Sequence, residues 1–565
     1  IKSENGSAKC IVRAANKSDH VFEITADYVA INGFTVKESE SGAGICLNES
    51  DFCEITNNHC SDNGDGVYLS DSNGNEIKNN TCSYNEGNGT YLFDSSENEI
   101  KNNTYSHNCY YGLTLHSTSN DNKITKNSIS SNGYSGIYLR DSSNNKITND
   151  NIMNNNGCGI LLDDYSNSKN NEITNNNIYS NGCGIAILQN DDRNKITKNN
   201  ISSNGGDGIY LSGANNDITN NNISSNGDDG IHIYGGYGVN NEITKNSISS
   251  NEGNGIYLDF SGNNEITNNN ISSNGYSGIL LFGSSENNEI TKNSISSNRG
   301  SGINLRSANI LDHHYHPKDN EITKNSISSN EYGIYLRGIK DWVGFGTIIY
   351  LNNFIENRDN AYAYRSKNIW KSGKITYTYK GNTYRGYMGN YWSDYNGNDT
   401  NNDGIGDTLY GISYCNEDEY PLMEPWENYF PENKPPIASF TYKPEDPFVN
   451  QTITFDASSS YDPDGTIVSY EWDFDDGNTA TGKTVTHSYS SAGKYTVTLT
   501  VTDNSSLTNS TTRKITVREE GIPNISWNMT ISATNQLEPV VVGMHPNATD
   551  GYDADFDAYA QTPVQ

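Results

Sequence analysis

Between residues 53 and 369 the chain repeats one short alternation of apolar and polar positions. Its clearest form, NEITKNSISSN, occurs unchanged at 241–251, 288–298 and 320–330, and with one substitution at 122–132. In the unit that starts at Asn241, Ile243, Ile248, Ile256 and Leu258 are apolar, while Thr244, Ser247 and Tyr257 carry polar groups. Side chains alternate across a strand, so the first set points to one face and the second to the other. The pattern predicts three short strands per unit, EIT, NSIS and GIYL, separated by Asn, Gly and Ser turns. Unit starts run from Asn75 to Asn320 with spacings of 22 to 26 residues, except a last one of 32. CEIT at Cys53 and FEIT at 22–25 read as degenerate earlier copies, and TIIYLNNFIENRDNAYAYRSKNI (347–369) as a worn final one. A unit this small cannot bury its apolar side alone. Stacking units at about 4.8 Å makes one continuous core, which predicts an all-β parallel β-helix of about 14 coils. A helical-repeat solenoid has similar periods, but β-branched Ile and Thr interleaved with Asn and Gly disfavour helices. The asparagines then have structural work: they tolerate left-handed turn conformations, and stacked amides hydrogen-bond from coil to coil. The insertion RSANILDHHYHPKD (306–319) accounts for the spacing of 32.

The phrase GIYLRDSSNNKITNDNI (136–152) resembles the NosD-type right-handed β-helix, within the wider group of carbohydrate-binding and sugar-hydrolase β-helices. The closing segment GNYWSDYNGNDTNNDGIGDTLYGI (389–412), followed by EYPLM (419–423), is similar to the way such repeats finish. After the Pro-marked junction FPENKPPIASF (430–440), YDPDGTIVSYEWDFDDG (461–477) and HSYSSAGKYTVTLTVTD (487–503) resemble the polycystic-kidney-disease (PKD) domain, an immunoglobulin-like sandwich, with Asp475 where Gly is usual. The expected organisation is a β-helix over 1–368, a C-terminal cap over 369–430, a linker at 431–435, a PKD-like sandwich over 436–518, and an incomplete β-module or partner-exchanged tail over 519–565. The resemblance implies an archaeal or bacterial surface setting, and the combination of repeats and sandwich looks most like archaeal envelope proteins.

Charge narrows the partners. With 37 basic and 69 acidic residues the formal net charge is −32, against the basic groove that nucleic acid requires. No apolar run is long enough to span a bilayer. The opening IKSENGSAKC has no basic region followed by an apolar one, so any leader is expected to have been removed. Asn88, Asn200, Asn398, Asn450 and Asn528 stand in Asn-x-Ser/Thr acceptor sequences, which fit glycosylation on a secretory route and also arise by chance in so Asn-rich a chain.

Candidate chemistry sits where the repeat breaks. Asp399, Asn401, Asp403, Ile405 and Asp407 follow the D-x-N-x-D-G pattern of a Ca²⁺ loop, with Asp394 or Asp418 to complete the shell; an acidic turn without an ion is the alternative. Asp462-Pro-Asp464-Gly465 reads as a plain turn more readily than as a second such site. His313, His314 and His316 cluster on the insertion, where imidazoles suit Cu or Zn. NosD proteins are linked to copper, but the spacing matches no standard ligand set, and an exposed His-rich loop is the blander reading. Cys60 with Cys82 and Cys158 with Cys183 occupy equivalent positions in neighbouring units, about 5 Å apart when stacked, which predicts two disulfides; buried thiols are the alternative. Tyr68, Tyr91, Tyr138, Tyr210, Tyr257 and Tyr335 form a discontinuous stripe on the outward side of the GIYL strands, suited to stacking on sugar rings or to pairing with one another. No carboxylate pair or Lys/Arg cluster that sugar cleavage needs stands out in the repeat.

The expected function is a secreted or cell-surface structural or adhesive protein. Its first coil, starting at Ile1 without a covering segment, offers a bare rung. Head-to-tail self-association into a filament or surface layer is one consequence, and a fragment boundary is the other reading. The alternatives are a polysaccharide-binding or polysaccharide-cleaving β-helix, and periplasmic copper handling of the NosD kind.

Overall fold

The computed structural model describes all residues except 164–167, 189–191, 236–238, 311–312, 339–342, 414–415, 431–432 and 521–565, so the tail expected at 519–565, including Asn528, lies almost wholly outside the described residues. The chain forms two compact units, Ile1–Pro431 and Glu432–Gln565.

In the first unit three parallel sheets of 16, 15 and 15 strands run side by side, each coil giving one strand to each sheet. The coil that begins at Asn241 contributes Glu242–Thr244, Ser247–Ser249 and Ile256–Asp259. Each strand pairs in register with its counterpart one coil on: Ile243 with Ile266, Ile248 with Ile271, Ile256 with Ile279 and Leu258 with Leu281. These four columns are fully buried and fill the shaft, the set that alternation assigns to one face.

The three asparagines of the phrase mark its three corners. The Asn246 backbone N–H and Nδ2 both donate to Asn269 Oδ1, at 2.9 and 3.0 Å, and Nδ2 also reaches back to the Ile218 carbonyl at 2.7 Å. Asn241 and Asn251 make the same bonds to Asn264 and Asn274. Three buried amide ladders therefore run along the shaft. The left-handed turn falls on the residue before each ladder asparagine, Asn240, Lys245 and Ser250 at φ of 55°, 58° and 57°, and asparagine itself often fills that place, as at Asn215, Asn220, Asn263 and Asn268. A Lys or Ser there costs about 1–2 kcal/mol of backbone preference, which the amide bonds of the next residue offset. The glycine before each GIYL strand is fixed by close approach: a Cβ on Gly255 would lie 2.4 Å from Ile271 Cγ2 and 2.6 Å from the Gly278 carbonyl.

The insertion forms an antiparallel hairpin, Ala308–Ile310 with His313–Tyr315. At the far end Tyr391–Trp392 continues one sheet, and the hairpin Ile375–Tyr379/Asn382–Gly386 joins a small core of Tyr377, Met388, Ile405, Leu422, Trp426 and Tyr429. The buried Asp418 ends one ladder, accepting from the Asn390 backbone at 2.7 Å and from Trp392 Nε1 at 3.0 Å.

The second unit is a sandwich of a three-stranded and a four-stranded antiparallel sheet, closed over Phe440, Phe455, Trp472, Phe474, Leu499 and Val501. Asp475 adopts φ of 63°, the conformation that favours Gly, and its Oδ2 accepts the Thr496 N–H at 2.8 Å.

Candidate functional site on the outer face of the shaft

The outward column of the GIYL sheet holds the tyrosine stripe. Its rings are half-buried and pack on one another: Tyr68 with Tyr91 at 5.3 Å, Tyr335 with Tyr362 stacked at 5.1 Å, and Tyr138 stacked on Tyr111 at 4.5 Å. Stacked along the shaft, the rings turn their faces to the next coil, the geometry of cross-strand pairing more than of an open sugar platform.

In one coil this column carries His232, registered between Tyr210 and Tyr257. Its ring stacks on Tyr257 at 4.6 Å and meets the edge of Tyr210 at 5.2 Å. The neighbouring column, the residue before the close-packed glycine, reads Asp207 and Asp229 in successive coils, joined where Gly208 N–H donates to the Asp229 carbonyl at 2.9 Å. Asp207 Oδ2 lies 3.4 Å from His232 Nδ1, with side-chain exposures of 13% and 18%. Asp207 Oδ1 accepts the Asp229 N–H at 3.0 Å, and Asp229 Oδ1 accepts Asn254 N–H and Nδ2 at 2.5 and 2.9 Å. One ligand atom from each of Asp207, Asp229 and His232 falls within 4.8 Å of the others.

Burial pushes the Asp229 carboxyl up to about 6 against the hydrogen bonds of Asn254, helped by the charges of Asp207 and Asp228. Burial also raises Asp259, and Asp228 to a lesser depth. On His232 burial opposes the charge, but the hydrogen bond and charge of Asp207, with Asp229 and Asp259, outweigh it and raise the imidazole. Among the described residues His232 Nε2 and Asp259 Oδ1 are buried without a hydrogen-bond partner.

The cluster is not visible along a single unit, where Asp207, Asp229, His232 and Asp259 are scattered. Reading down the column before the glycine shows acids repeated in consecutive units only beside the one unit whose Tyr column turns to His, GIHIY at 230–234.

Among the described residues no other group of three His, Cys, Asp or Glu side chains brings its ligand atoms so close. Asp399 Oδ2 accepts the Gly404 N–H at 2.9 Å, Asp403 Oδ1 the Ile405 N–H at 2.9 Å, and Asp407 Oδ2 the Thr400 N–H at 2.8 Å, while Asn401 Nδ2 donates to Asp403 Oδ2 at 3.0 Å. The Thr400 hydrogen bonds hold Asp407 below the usual carboxylate range. The loop carboxylates thus brace the loop's own backbone, and with Gly404 at φ of 87° they seat Ile405 in the cap core. On the hairpin, successive strand residues His313 and His314 point to opposite sides. His314 and His316 rings lie 6.5 Å apart, and His316 Nδ1 is engaged by Ser307 Oγ at 2.7 Å. The three histidines therefore do not converge on one ion; Asp312 beside them lies outside the described residues.

The structure joins Cys158 to Cys183 in a disulfide at the outward edge of the GIYL sheet, in the column that continues to Asp207. The expected Cys60–Cys82 bond is not formed. Those residues pair in register on the inner face as fully buried thiols. The hydrogen bond to Cys82 and burial keep the Cys60 thiol protonated, and a thiolate is what disulfide formation requires. Of the acceptor asparagines, Asn200, Asn398 and Asn450 are exposed. Asn88 is half-buried with Nδ2 donating to Asp65 Oδ1 at 2.9 Å and Oδ1 accepting Thr114 Oγ1 at 3.0 Å, so its amide is already committed.

Residues 150–274 and 208–397 match the family described as periplasmic copper-binding protein (NosD), residues 19–178 a right-handed beta helix region, and residues 433–518 a PKD domain. A microbial collagenase of Vibrio alginolyticus is 40% identical over 99 residues, 18% of this chain and 12% of its own length. Collagenase ColA of Clostridium perfringens is 46% identical over 72 residues, 13% of this chain and 6% of its own length. The chain thus spans a small part of these relatives. Among solved structures, the PKD1 domain of Vibrio anguillarum Epp is 40% identical, covering 16% of this chain and 99% of that one, with a TM-score of 0.14. The A-module of the Azotobacter vinelandii mannuronan C-5 epimerase AlgE6 is 15% identical, covering 54% of this chain and 89% of that one, with a TM-score of 0.42.

Copper, implied by the family description, can be tested on the residues present. The His hairpin does not gather three imidazoles, and the Asp207, Asp229 and His232 set has no thiolate or thioether for Cu(I) but suits a divalent ion. No helix among the described residues is long and apolar enough to cross a membrane. The chain joins a right-handed parallel β-helix, part of which matches the NosD family, to a domain that matches the PKD family.

Proposed function

We propose that this protein is a structural or adhesive component on the outer surface of the cell, in which the β-helix serves as a stiff shaft and the PKD domain as a spacer or contact module. The observation that carries the reading is the use made of the repeat. Its inward residues fill the core and its asparagines bond coil to coil. Several of its outward aromatic rings pack on neighbours one coil away, Tyr68 on Tyr91 and Tyr335 on Tyr362 among them, so most of the repeated unit is spent on building the shaft. The disulfide between Cys158 and Cys183 and the relatives among microbial collagenases support a place outside the cytoplasm. Immunogold electron microscopy of intact cells tests it: label over the outer surface is expected, and label confined to the cytoplasm or periplasm overturns it.

A second reading, action on polysaccharide, is favoured by one specific feature. Asp229, His232 and Asp259 lie on the same face as Arg306 and Arg337, which pair in register two and three coils further on. Acids and cations spaced along one face suit a chain of sugar acids. Release of reducing ends or unsaturated sugars from a polysaccharide panel would favour this reading over the first.

A further inference from the structure

We propose that Asp207, Asp229 and His232 form a binding site for one divalent transition-metal ion on the outer face of the shaft, distinct from the His hairpin and the Asp399–Asp407 loop. The first support is convergence. Three side chains from two successive coils bring one ligand atom each within 4.8 Å, and the parallel register holds them there.

The second is the way each side chain is braced. Asp207 and Asp229 each have Oδ1 anchored, by the Asp229 N–H and by Asn254, and Asp207 Oδ2 faces His232 Nδ1 at 3.4 Å, so both carboxylates are held beside the imidazole. The imidazole is clamped between Tyr210 and Tyr257. Outer partners of this kind orient ligands in metal sites.

The third support is independent of the convergence. His232 Nε2 and Asp259 Oδ1 are buried without partners among the described residues, and an unmatched buried polar atom costs about 1–3 kcal/mol. Four carboxylates, Asp207, Asp228, Asp229 and Asp259, surround one imidazole, and among the described residues none of them forms an ion pair with Lys or Arg. A cation among Asp207, Asp229 and His232 would neutralise this concentration of negative charge.

Two carboxylate oxygens and one imidazole nitrogen select the ion's class. The set lacks the sulfur donors that hold Cu(I) and the six to eight oxygens that Ca²⁺ takes, and it fits Zn²⁺ or Mn²⁺ with water completing the shell. This site goes beyond the structural reading above and does not depend on it.

The test is titration of the full chain with Zn²⁺ and, separately, Mn²⁺, followed by calorimetry and by thermal melting. One ion per chain is expected to saturate and to raise the melting temperature. The informative variant is His232→Tyr. Tyr fills the same column in the coils on either side, at Tyr210 and Tyr257, so the substitution keeps the stacking and removes the ligand. It is expected to weaken binding at least about tenfold with the far-ultraviolet dichroism unchanged, and Asp229→Asn to do likewise. A triple variant, His313→Ala with His314→Ala and His316→Ala, is expected to bind as the parent does. Absence of saturable one-to-one binding, binding undiminished in His232→Tyr, or binding lost in the triple variant overturns the proposal.

Discussion

An asparagine amide carries two donors and two acceptor lone pairs, and at the corners of this shaft all four are used. Asn246 Oδ1 accepts both the N–H and the Nδ2 of Asn221, and its own Nδ2 donates to Asn269 Oδ1 and the Ile218 carbonyl. Removing one such amide leaves buried donors and acceptors unmatched on both sides, which costs more than the bonds themselves are worth. Asn269→Ala is therefore expected to destabilise the shaft by about 2–4 kcal/mol in denaturant melts. Asn270→Ala next to it, on the exposed side of its strand, is expected to stay within about 0.5 kcal/mol.

One ladder position is an acid. Asp150 accepts from Asn127 N–H and Nδ2 at 2.6 and 2.9 Å, but Asp150 Oδ2 stands where an asparagine would donate and has no partner among the described residues. Burial pushes its carboxyl up to about 7. A folded pKa above the unfolded one means that the shaft is favoured while the group is protonated in both states, below about pH 4. That contribution is lost as pH rises through about 7. Asp150→Asn is expected to flatten this part of the pH profile and to gain up to ~4 kcal/mol above pH 7, read as urea midpoints across pH 4 to 8.

At the scale of the strand, the sequence was legible where side-chain direction alone decides the outcome. Ile243, Ile248, Ile256 and Leu258 fall in the core because alternation leaves them no other face. What alternation does not carry is which of two stacked cysteines meets its partner. Cys60 and Cys158 both have a Cys one coil on, yet the first pair points into the core as thiols and the second sits at the outward edge as a disulfide. Alternation also does not say which asparagine does which work: one turns its amide inward to the ladder, and the residue before it, Asn, Lys or Ser, takes the left-handed backbone. The acid and histidine cluster was not legible along the chain because its members belong to different columns, Asp207 and Asp229 before the strand and His232 within it. The Cys158–Cys183 bond spans 25 residues. Its loss in Cys158→Ser with Cys183→Ser is expected to cost about 3 kcal/mol, and reductant is expected to lower the melting temperature of the parent but not of the variant.

For the whole molecule, 37 basic against 69 acidic residues give −32, and self-repulsion at that charge opposes the compact state. Screening relieves it, so melting temperatures are expected to rise between 10 and 500 mM NaCl; a fall would place the stability in surface ion pairs instead. The shaft is the product of its repeat, and the proposed metal site lies in units that depart from it. The most direct test of the structural reading is turnover. Full-length protein is incubated with a panel of neutral and uronic-acid polysaccharides, with and without Zn²⁺ and Mn²⁺, and new reducing ends and unsaturated sugars are measured. The account predicts no product above a heat-denatured control. Steady product release that His232→Tyr abolishes would contradict it and make this face of the shaft an active site.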